Sequence, residues 1–235
     1  MKLPLSNRLL ACCDFVRRGD RVVDVGCDHG YLSIHLLHTG IASSIIASDV
    51  AEGPLQSAVR NAMKYGVKNK IQFFLSDGVR NVPRDFDCMV CAGMGADTMM
   101  SILDAAPWLK DEKYRLILQC QSKRPELRRY LYDNGFAIRR ETLAQDGKFY
   151  YPVMEVIYAP GETLTEVDSY ITPALLASGS PLLPAFLDRV IGGLEPAEAA
   201  LAKTGAERYE KIHAVLEQLR AIRAQLPENG KGENL

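Results

Sequence analysis

Carboxylates follow three short apolar runs in the first third of the chain. Asp24 lies in Val22-Val-Asp-Val-Gly, Asp49 ends Ile45-Ile-Ala-Ser-Asp, and Asp77 follows Phe73-Phe-Leu-Ser. Asp49 is suited to accept hydrogen bonds from two ribose hydroxyls, and Asp77 from the amino group of an adenine. A single acid of this kind is more often a helix cap or a turn former. Three in succession predict a binding edge for a nucleoside.

The loop after the first run contains the spacing D-x-G-x-x-x-G, formed by Asp24, Gly26 and Gly30. This spacing is typical of the nucleotide loop of S-adenosylmethionine-dependent methyltransferases. Gly26 permits a tight turn next to a ligand, and Gly30 permits close packing of helix and strand. Asp28 stands where a dinucleotide-binding loop has its second glycine. A carboxylate there repels a pyrophosphate but attracts the ammonium group of S-adenosylmethionine, so the loop favours that cofactor over NAD.

The predicted contacts of the cofactor are residues of this loop and of the ends of the next strands: Asp24, Gly26, Cys27, Asp28, Asp49, Val50, Asp77, Gly78 and Gly93. A planar base could approach the backbone between Gly93 and Gly95, with Met94 as an apolar wall, and Gln119 could pair with an adenine edge. Both glycines and Gln119 are also compatible with purely structural roles. The predicted substrate contacts are Met94, Gly95, Gln119, Lys123, Arg124 and Arg128.

The elements that position these residues alternate between apolar runs and helical stretches. The predicted strands are Arg21–Val25, Ser44–Ser48, Ile71–Leu75, Asp87–Ala92, Arg115–Gln119, Ala137–Ala144 and Tyr151–Ala159. The predicted helices between them are Tyr31–Thr39, Pro54–Tyr65, Ala96–Ala105 and Lys123–Asn134. This alternation predicts an α/β fold with a parallel sheet, a Rossmann-like domain over residues 1–160. Gln145-Asp-Gly-Lys predicts an antiparallel hairpin at one edge of the sheet.

Residues 161–235 are predicted to form a separate, small α-helical domain. Pro184–Leu194 and Ala197–Ala224 carry apolar residues at helical spacing, with a break predicted near Thr204-Gly205 and a flexible tail after about residue 227. The two helices are predicted to pack antiparallel. The domain could hold RNA through Lys203, Arg208 and Lys211 or serve dimerisation, and the spacing decides neither this nor whether the protein is a monomer or a homodimer.

Composition restricts the function classes. The sequence has no apolar run long enough to span a membrane, and its start predicts an amphipathic helix rather than an export signal, which favours a cytoplasmic protein. Cys88 and Cys91 fall in a predicted buried strand, so we predict buried thiols and no metal. Residues 115–148 hold eight basic against four acidic residues, an excess that suits phosphate or a solvated helix face equally.

Several segments together resemble the bacterial tRNA adenine-N1 methyltransferases of the TrmK type, which modify the adenine at tRNA position 22. The similar segments extend over residues 3–226 and include Leu5-Ser-Asn-Arg-Leu, Asp24-Val-Gly-Cys-Asp-His-Gly-Tyr-Leu, Ala92-Gly-Met-Gly, Leu116-Ile-Leu-Gln and Asp146-Gly-Lys-Phe-Tyr. The resemblance implies a methyltransferase domain, a C-terminal coiled-coil-like domain, S-adenosyl-L-methionine as cofactor, tRNA as partner and an essential Asp28.

The chemistry that this resemblance implies is attack of adenine N1 on the sulfonium methyl group. N1-methyladenine is cationic until its amino group loses a proton, and a nearby carboxylate would stabilise that charge. Asp28 is the predicted catalytic carboxylate, with His29 or Tyr31 placing the base; alternatively, Asp28 only holds the cofactor or the loop. A small-molecule methyltransferase and a non-catalytic S-adenosylmethionine-binding RNA-binding module are the alternative functions.

Overall fold

The computed structural model describes residues 3–202 and 207–227 of the 235-residue chain. The chain divides into two compact units, one up to Thr163 and the other from Leu164 onward. The first unit is an α/β unit, and the second is helical. In the described ranges, no helix combines the length and the apolar character that crossing a membrane requires.

Seven strands form one sheet in the first unit: β1 (Arg21–Val25), β2 (Ser44–Asp49), β3 (Ile71–Leu75), β4 (Cys88–Met94), β5 (Arg115–Cys120), β6 (Phe136–Asp146) and β7 (Phe149–Tyr158). Their order is β3-β2-β1-β4-β5-β7-β6. β1 to β5 pair in parallel, and β7 is antiparallel to both of its neighbours. The predicted Rossmann-like α/β fold is confirmed. The order reverses direction between β1 and β4, which is where ligands bind in open sheets of this kind.

Five helices belong to this unit: α1 (Asn7–Cys13), α2 (Tyr31–His38), α3 (Glu52–Lys64), α4 (Ala96–Asp104) and α5 (Arg124–Asp133). All six residues of β5 and the last four of β1 are buried. Such continuous burial is typical of parallel strands that are covered on both faces. The hydrophobic core therefore holds the central strands in place, and their carboxyl ends can position the side chains of a binding site.

The predicted hairpin joins β6 and β7. Asp146 pairs with Phe149, so the turn consists of Gly147 and Lys148, and Gly147 has a φ of 58°. Both strands of the hairpin extend closer to the turn than the sequence predicts. β5 pairs with β7 up to Leu118, opposite Met154. Since β7 starts five residues before Met154, the turn projects beyond the carboxyl end of β5.

The second unit contains α6 (Pro173–Leu176), α7 (Leu183–Leu201) and α8 (Glu207–Gln225). Arg223 Nε lies 2.7 Å from Asp188 Oδ1, and His213 Nδ1 lies 2.6 Å from Glu198 Oε1. These pairs run in opposite order along the two helices, so α7 and α8 are antiparallel, as predicted. The buried apolar residues of α8 are Val215, Leu216 and Leu219.

The sequence predicts a helical segment that ends at Leu194, and this end of the first of the two helices is wrong. α7 continues through Pro196 to Leu201, whereas the sequence pattern ends it at Leu194. A proline inside a helix removes one hydrogen bond, and its ring crowds the carbonyl group four residues earlier. That earlier residue is Gly192, whose backbone adjusts readily because it carries no Cβ. The predicted break at Thr204-Gly205 and the tail after residue 227 lie outside the described residues.

Candidate active site

The loop between β1 and α2 is held by tight contacts at its glycines. Gly26 has a φ of 70°, and a Cβ on it would lie 2.2 Å from the Cε of Met94. Gly30 also has a φ of 70°, and a Cβ on it would lie 3.0 Å from the Cβ of Ala58 in α3. The close approach at Gly30 is therefore to another helix and not, as predicted, to a strand. Both positions favour glycine because of the left-handed backbone and the lack of space.

Asp24, which precedes this loop, is buried. It is 4% exposed, and its Oδ2 accepts a hydrogen bond of 2.6 Å from the Ser33 hydroxyl of α2. The pKa of Asp24 is raised to about 6, mainly because the group is buried; hydrogen bonds from Ser33 lower the pKa, and the nearby Asp49 raises it. A positively charged ligand would stabilise the ionised form of this carboxyl.

Asp49, at the end of the neighbouring strand β2, holds the glycine loop through its carboxylate. Its Oδ2 accepts the backbone N–H of Asp28 at 3.1 Å, and its Oδ1 accepts that of Ala51 at 3.0 Å. The N–H groups of Gly26 and Cys27 both donate to the Ser48 carbonyl oxygen, at 2.8 and 2.9 Å. A carboxylate has about four acceptor positions, so Asp49 keeps acceptor capacity for ribose hydroxyls.

Asp28, His29 and Tyr31 lie together at the mouth of a cleft. The Asp28 side chain is 70% exposed, and its Oδ1 lies 3.8 Å from His29 Nε2. The rings of His29 and Tyr31 have centroids 6.0 Å apart. Asp28 has a φ of 49°, a left-handed conformation that aspartate tolerates better than most residues. The three predicted catalytic residues are thus adjacent and accessible.

The cleft is open, and its empty space amounts to about 420 Å³ when the solvent at its mouth is counted. Its lining combines both signs of charge with apolar groups: Arg8, Leu9, Asp24, Gly26, Cys27, Asp28, His29, Tyr31, Leu32 and Ala92. Cys27 is buried, and burial raises the pKa of its thiol, so it contributes a neutral, apolar wall.

Asp77 and Gly78 follow β3 at the same edge of the sheet. Asp77 Oδ2 lies 3.4 Å from Arg80 Nε, and the Asp77 side chain is exposed. Gly78 has a φ of 60°, and a Cβ on it would lie 2.9 Å from side-chain atoms of Ile102. Val50, after β2, is 71% exposed. An exposed valine between two acidic strand ends suits the apolar face of a base.

The end of β4 passes close to the N-terminal helix. Gly93 has a φ of 83°, and a Cβ on it would lie 3.0 Å from Arg8 Nη1. A Cβ on Gly95 would lie 3.0 Å from the Ser122 hydroxyl. Met94 packs over Gly26, which places its side chain between the β4 end and the glycine loop. Met94 is not among the residues that line the cleft, and its role as an apolar wall for a base stays a prediction.

The structure corrects the prediction for Gln119. Gln119 is completely buried, and its Oε1 accepts a hydrogen bond of 3.0 Å from Arg8 Nη1. Its amide is therefore not presented to a base. Arg8 is the charged lining residue of the cleft that the sequence prediction missed. A signal was present, because Arg8 belongs to Leu5-Ser-Asn-Arg-Leu, one of the segments that resemble the TrmK type.

The predicted basic contacts of α5 are only partly accessible. Lys123 Nζ, 2.7 Å from Asp97, belongs to an exposed ion pair, and Arg124 donates to the carbonyl oxygen of Tyr150 at 3.3 Å. Arg128 is 1% exposed and forms an ion pair with the equally buried Glu141. The prediction of a phosphate contact for Arg128 is wrong, because the spacing 124/128 does not show which helix face is buried.

All six cysteines are free and buried, as predicted. Burial is the largest cause that raises the pKa of the Cys88 and Cys91 thiols. Across residues 3–202 and 207–227, no group of three or more histidine, cysteine, aspartate or glutamate side chains is placed to hold a metal ion.

The fold and this edge of the sheet define a methyltransferase domain. A family model described as a methyltransferase domain matches residues 5–154, so the chain belongs to that family. A tRNA (adenine(22)-N(1))-methyltransferase of Bacillus subtilis is 33% identical over 151 residues, which are 63% of this chain and 63% of the relative. A candidate tRNA methyltransferase of Mycoplasma genitalium is 36% identical over 140 residues, 57% of this chain and 61% of the relative. The chain thus spans about six-tenths of these curated relatives.

One solved structure aligns with nearly the whole chain. It is a candidate tRNA (m1A22) methyltransferase of Streptococcus pneumoniae in complex with S-adenosyl-L-methionine. It is 30% identical, has a TM-score of 0.81, and the alignment covers 93% of this chain and 99% of that one. Within the methyltransferase-domain family, the chain is a member of the TrmK type.

Proposed function

We propose that the protein transfers a methyl group from S-adenosyl-L-methionine to N1 of adenine 22 in tRNA. The observation that carries the proposal is the arrangement of the cleft: a buried carboxyl under the glycine loop, a second on the next strand, and the exposed Asp28 at the mouth. The names of the Bacillus subtilis and Streptococcus pneumoniae proteins support the same substrate and cofactor.

The residues at the sheet edge fit S-adenosyl-L-methionine by charge and space. Asp49 would hold the ribose hydroxyls, Asp77 the adenine amino group and Asp24 the ammonium group, because each is a carboxylate at the required edge. Backbone or apolar contacts would come from Gly26, Cys27, Val50, Gly78 and Gly93. When bound, S-adenosyl-L-methionine supplies an electrophilic methyl group.

Asp28 is the carboxylate that we assign to the chemistry. It is exposed while Asp24 is buried, so a base at the mouth reaches Asp28 first. Its carboxylate would accept a hydrogen bond from the adenine amino group and stabilise the positive charge that N1 methylation creates. His29 and Tyr31 present two rings next to it, which would position the base by stacking or hydrogen bonding.

Recognition of tRNA is assigned to basic residues of both units. Lys123 and Arg124, at the start of α5, would contact phosphates near the cleft, and Arg208 and Lys211 of α8 would add further contacts. The target adenine would have to leave the base stack of the tRNA, which costs a few kcal/mol. The phosphate contacts would offset this cost. A tRNA substrate also supports a cytoplasmic location. The predicted division into domains 1–160 and 161–235 is supported by the two compact units, whose boundary falls between Thr163 and Leu164.

The test is methyl transfer from radiolabelled S-adenosyl-L-methionine to unmodified bacterial tRNA, followed by nucleoside analysis. The expected product is 1-methyladenosine. An Asp28→Asn variant should bind cofactor and form little product. If the protein binds cofactor but labels no tRNA, while it labels a small molecule from a cell extract, the small-molecule methyltransferase is the correct function. Cofactor binding without labelling of either leaves the non-catalytic binding module.

A further inference from the structure

Arg8 is the one arginine or lysine among the residues that line the cleft, where the carboxylates are Asp24 and Asp28. A ligand with only positive charge would be repelled by this guanidinium, whereas a zwitterion requires both signs of charge. Guanidinium groups match carboxylates with two parallel hydrogen bonds. The charge pattern of the cleft therefore fits an amino acid group, ammonium towards the acids and carboxylate towards Arg8.

A hydrogen bond to Gln119 fixes the orientation of the Arg8 side chain. Arginine only donates hydrogen bonds, so the bond to Arg8 Nη1 requires the oxygen of the Gln119 amide to face it. Gln119 Nε2 is buried, and it has no hydrogen-bond partner among the described residues. Leaving a buried donor unsatisfied costs free energy. A role of Gln119 in holding Arg8 would explain why the protein tolerates this cost.

The backbone of Arg8 is held by Asp146, a residue of the β6–β7 hairpin. The N–H groups of Asn7 and Arg8, at the start of α1, donate to the two carboxylate oxygens of Asp146 at 2.9 and 3.1 Å. Ser6, at the N-cap position, makes no side-chain capping bond. Asp146 thus replaces the missing cap, and it belongs to the hairpin that projects beyond β5. Both the backbone and the guanidinium of Arg8 are held by residues more than a hundred positions away.

We propose that Arg8 binds the carboxylate of the methionine part of the cofactor, and that Gln119 and Asp146 are positioning residues for it. This inference rests on the proposed function for the identity of the cofactor. A tRNA phosphate would be the other anion that Arg8 could bind, and the experiment has to distinguish these two sources.

A comparison of two ligands isolates the contribution of the amino acid group, with its carboxylate, to binding. S-adenosylhomocysteine carries the amino acid group, and 5′-methylthioadenosine lacks it. Calorimetry with the full chain should show that Arg8→Ala and Arg8→Gln weaken S-adenosylhomocysteine binding about 10- to 100-fold, the range for a hydrogen bond to a charged group. Binding of 5′-methylthioadenosine should stay within about twofold, because it has no carboxylate. That retained binding also shows that the variants are folded. Arg18→Ala removes an exposed arginine that bonds the Gly40 carbonyl oxygen, and it should change neither affinity.

Gln119→Met, which keeps the size but removes the acceptor, should weaken S-adenosylhomocysteine binding less than Arg8→Ala. The double variant should be no weaker than Arg8→Ala, because Gln119 acts only through Arg8. Unchanged S-adenosylhomocysteine affinity in both Arg8 variants, with weaker tRNA binding, would overturn the inference and assign Arg8 to a phosphate. Equal loss of both nucleosides would overturn it in favour of a structural role. If the cofactor assignment of the proposed function is wrong, the unmodified protein binds neither nucleoside, which differs from both of these outcomes. If only the tRNA substrate is wrong, the unmodified protein binds both nucleosides and labels no tRNA, and the comparison of the Arg8 variants still holds.

Discussion

The backbone N–H of Asp28 donates a hydrogen bond of 3.1 Å to the Asp49 carboxylate, which joins the loop after β1 to the end of the neighbouring strand β2. Asp28 has a left-handed backbone at this point, and the bond to Asp49 helps to maintain it. The residue that would bind ribose therefore also sets the position of the residue that would face the target base.

This contact predicts that Asp49→Asn weakens S-adenosylhomocysteine binding about 10- to 100-fold. An asparagine keeps only one acceptor oxygen, so it loses its charge and one of the two bonds to Asp28 and Ala51. Isothermal titration calorimetry measures the effect. Asp111→Asn is the matched control, because Asp111 accepts a backbone N–H in an exposed turn. An affinity equal to that of the control would contradict the role of Asp49.

Asp28→Asn should lower the rate of methyl transfer at least about 100-fold and leave S-adenosylhomocysteine affinity within about threefold. Asparagine tolerates the left-handed backbone nearly as well as aspartate, so the change isolates the charge. Asp28→Ala also strains the loop and should in addition lose about 1 kcal/mol of stability. If rate and affinity fall in the same proportion for Asp28→Asn, the residue holds the cofactor rather than the base.

The buried carboxyl of Asp24 predicts a pH-dependent cost of folding. Its pKa rises from 3.8 to about 6, so its contribution to stability is complete below about pH 4 and is lost as the pH rises through about 6. Asp24→Asn mimics the protonated group and still accepts the Ser33 bond. It should be more stable than the unmodified protein at pH 7.5, by about 2–3 kcal/mol, and equally stable at pH 4.

Urea denaturation at both pH values measures this difference, and calorimetry of the same variant should show weaker S-adenosylhomocysteine binding at pH 7.5. A variant that is less stable than the unmodified protein at pH 7.5 would mean that the native carboxylate is stabilised by more than Ser33. Such a result would contradict the raised pKa.

Arg128→Met should destabilise the first unit by about 3–5 kcal/mol, because it leaves the Glu141 carboxylate buried without its ion-pair partner. Lys113→Met breaks an exposed ion pair with Asp111 and should cost less than about 1 kcal/mol. Combining Arg128→Met with Glu141→Leu should recover most of the loss. A stable Arg128→Met protein that binds tRNA weakly would instead restore the role in phosphate binding that the sequence suggests.

The parts of the site that depend on strand order were predictable from the sequence. Asp24 lies near the end of β1, Asp49 ends β2 and Asp77 follows β3. Parallel topology brings these strand ends to one edge of the sheet whatever the packing details. Side-chain pairing between distant residues was not predictable. Arg128 pairs with Glu141 across an element boundary, and helical spacing alone does not show which face meets the sheet.

Arg8 was missed for a related reason. Its helix has only seven residues, and its partners Gln119 and Asp146 lie 111 and 138 positions away in the chain. No local pattern reports contacts of that range. The long helix α7 was shortened in the prediction because proline usually ends a helix, and only the structure shows that the backbone around Gly192 accommodates Pro196.

The most direct test of the central claim compares two transcripts of one bacterial tRNA, one with adenine at position 22 and one with guanine there. Each is incubated with the protein and S-adenosyl-L-methionine, and its nucleosides are then analysed by mass spectrometry. We expect about one 1-methyladenosine per molecule of the first transcript and none in the second. Equal methylation of both transcripts, or none in either with cofactor bound, would contradict it.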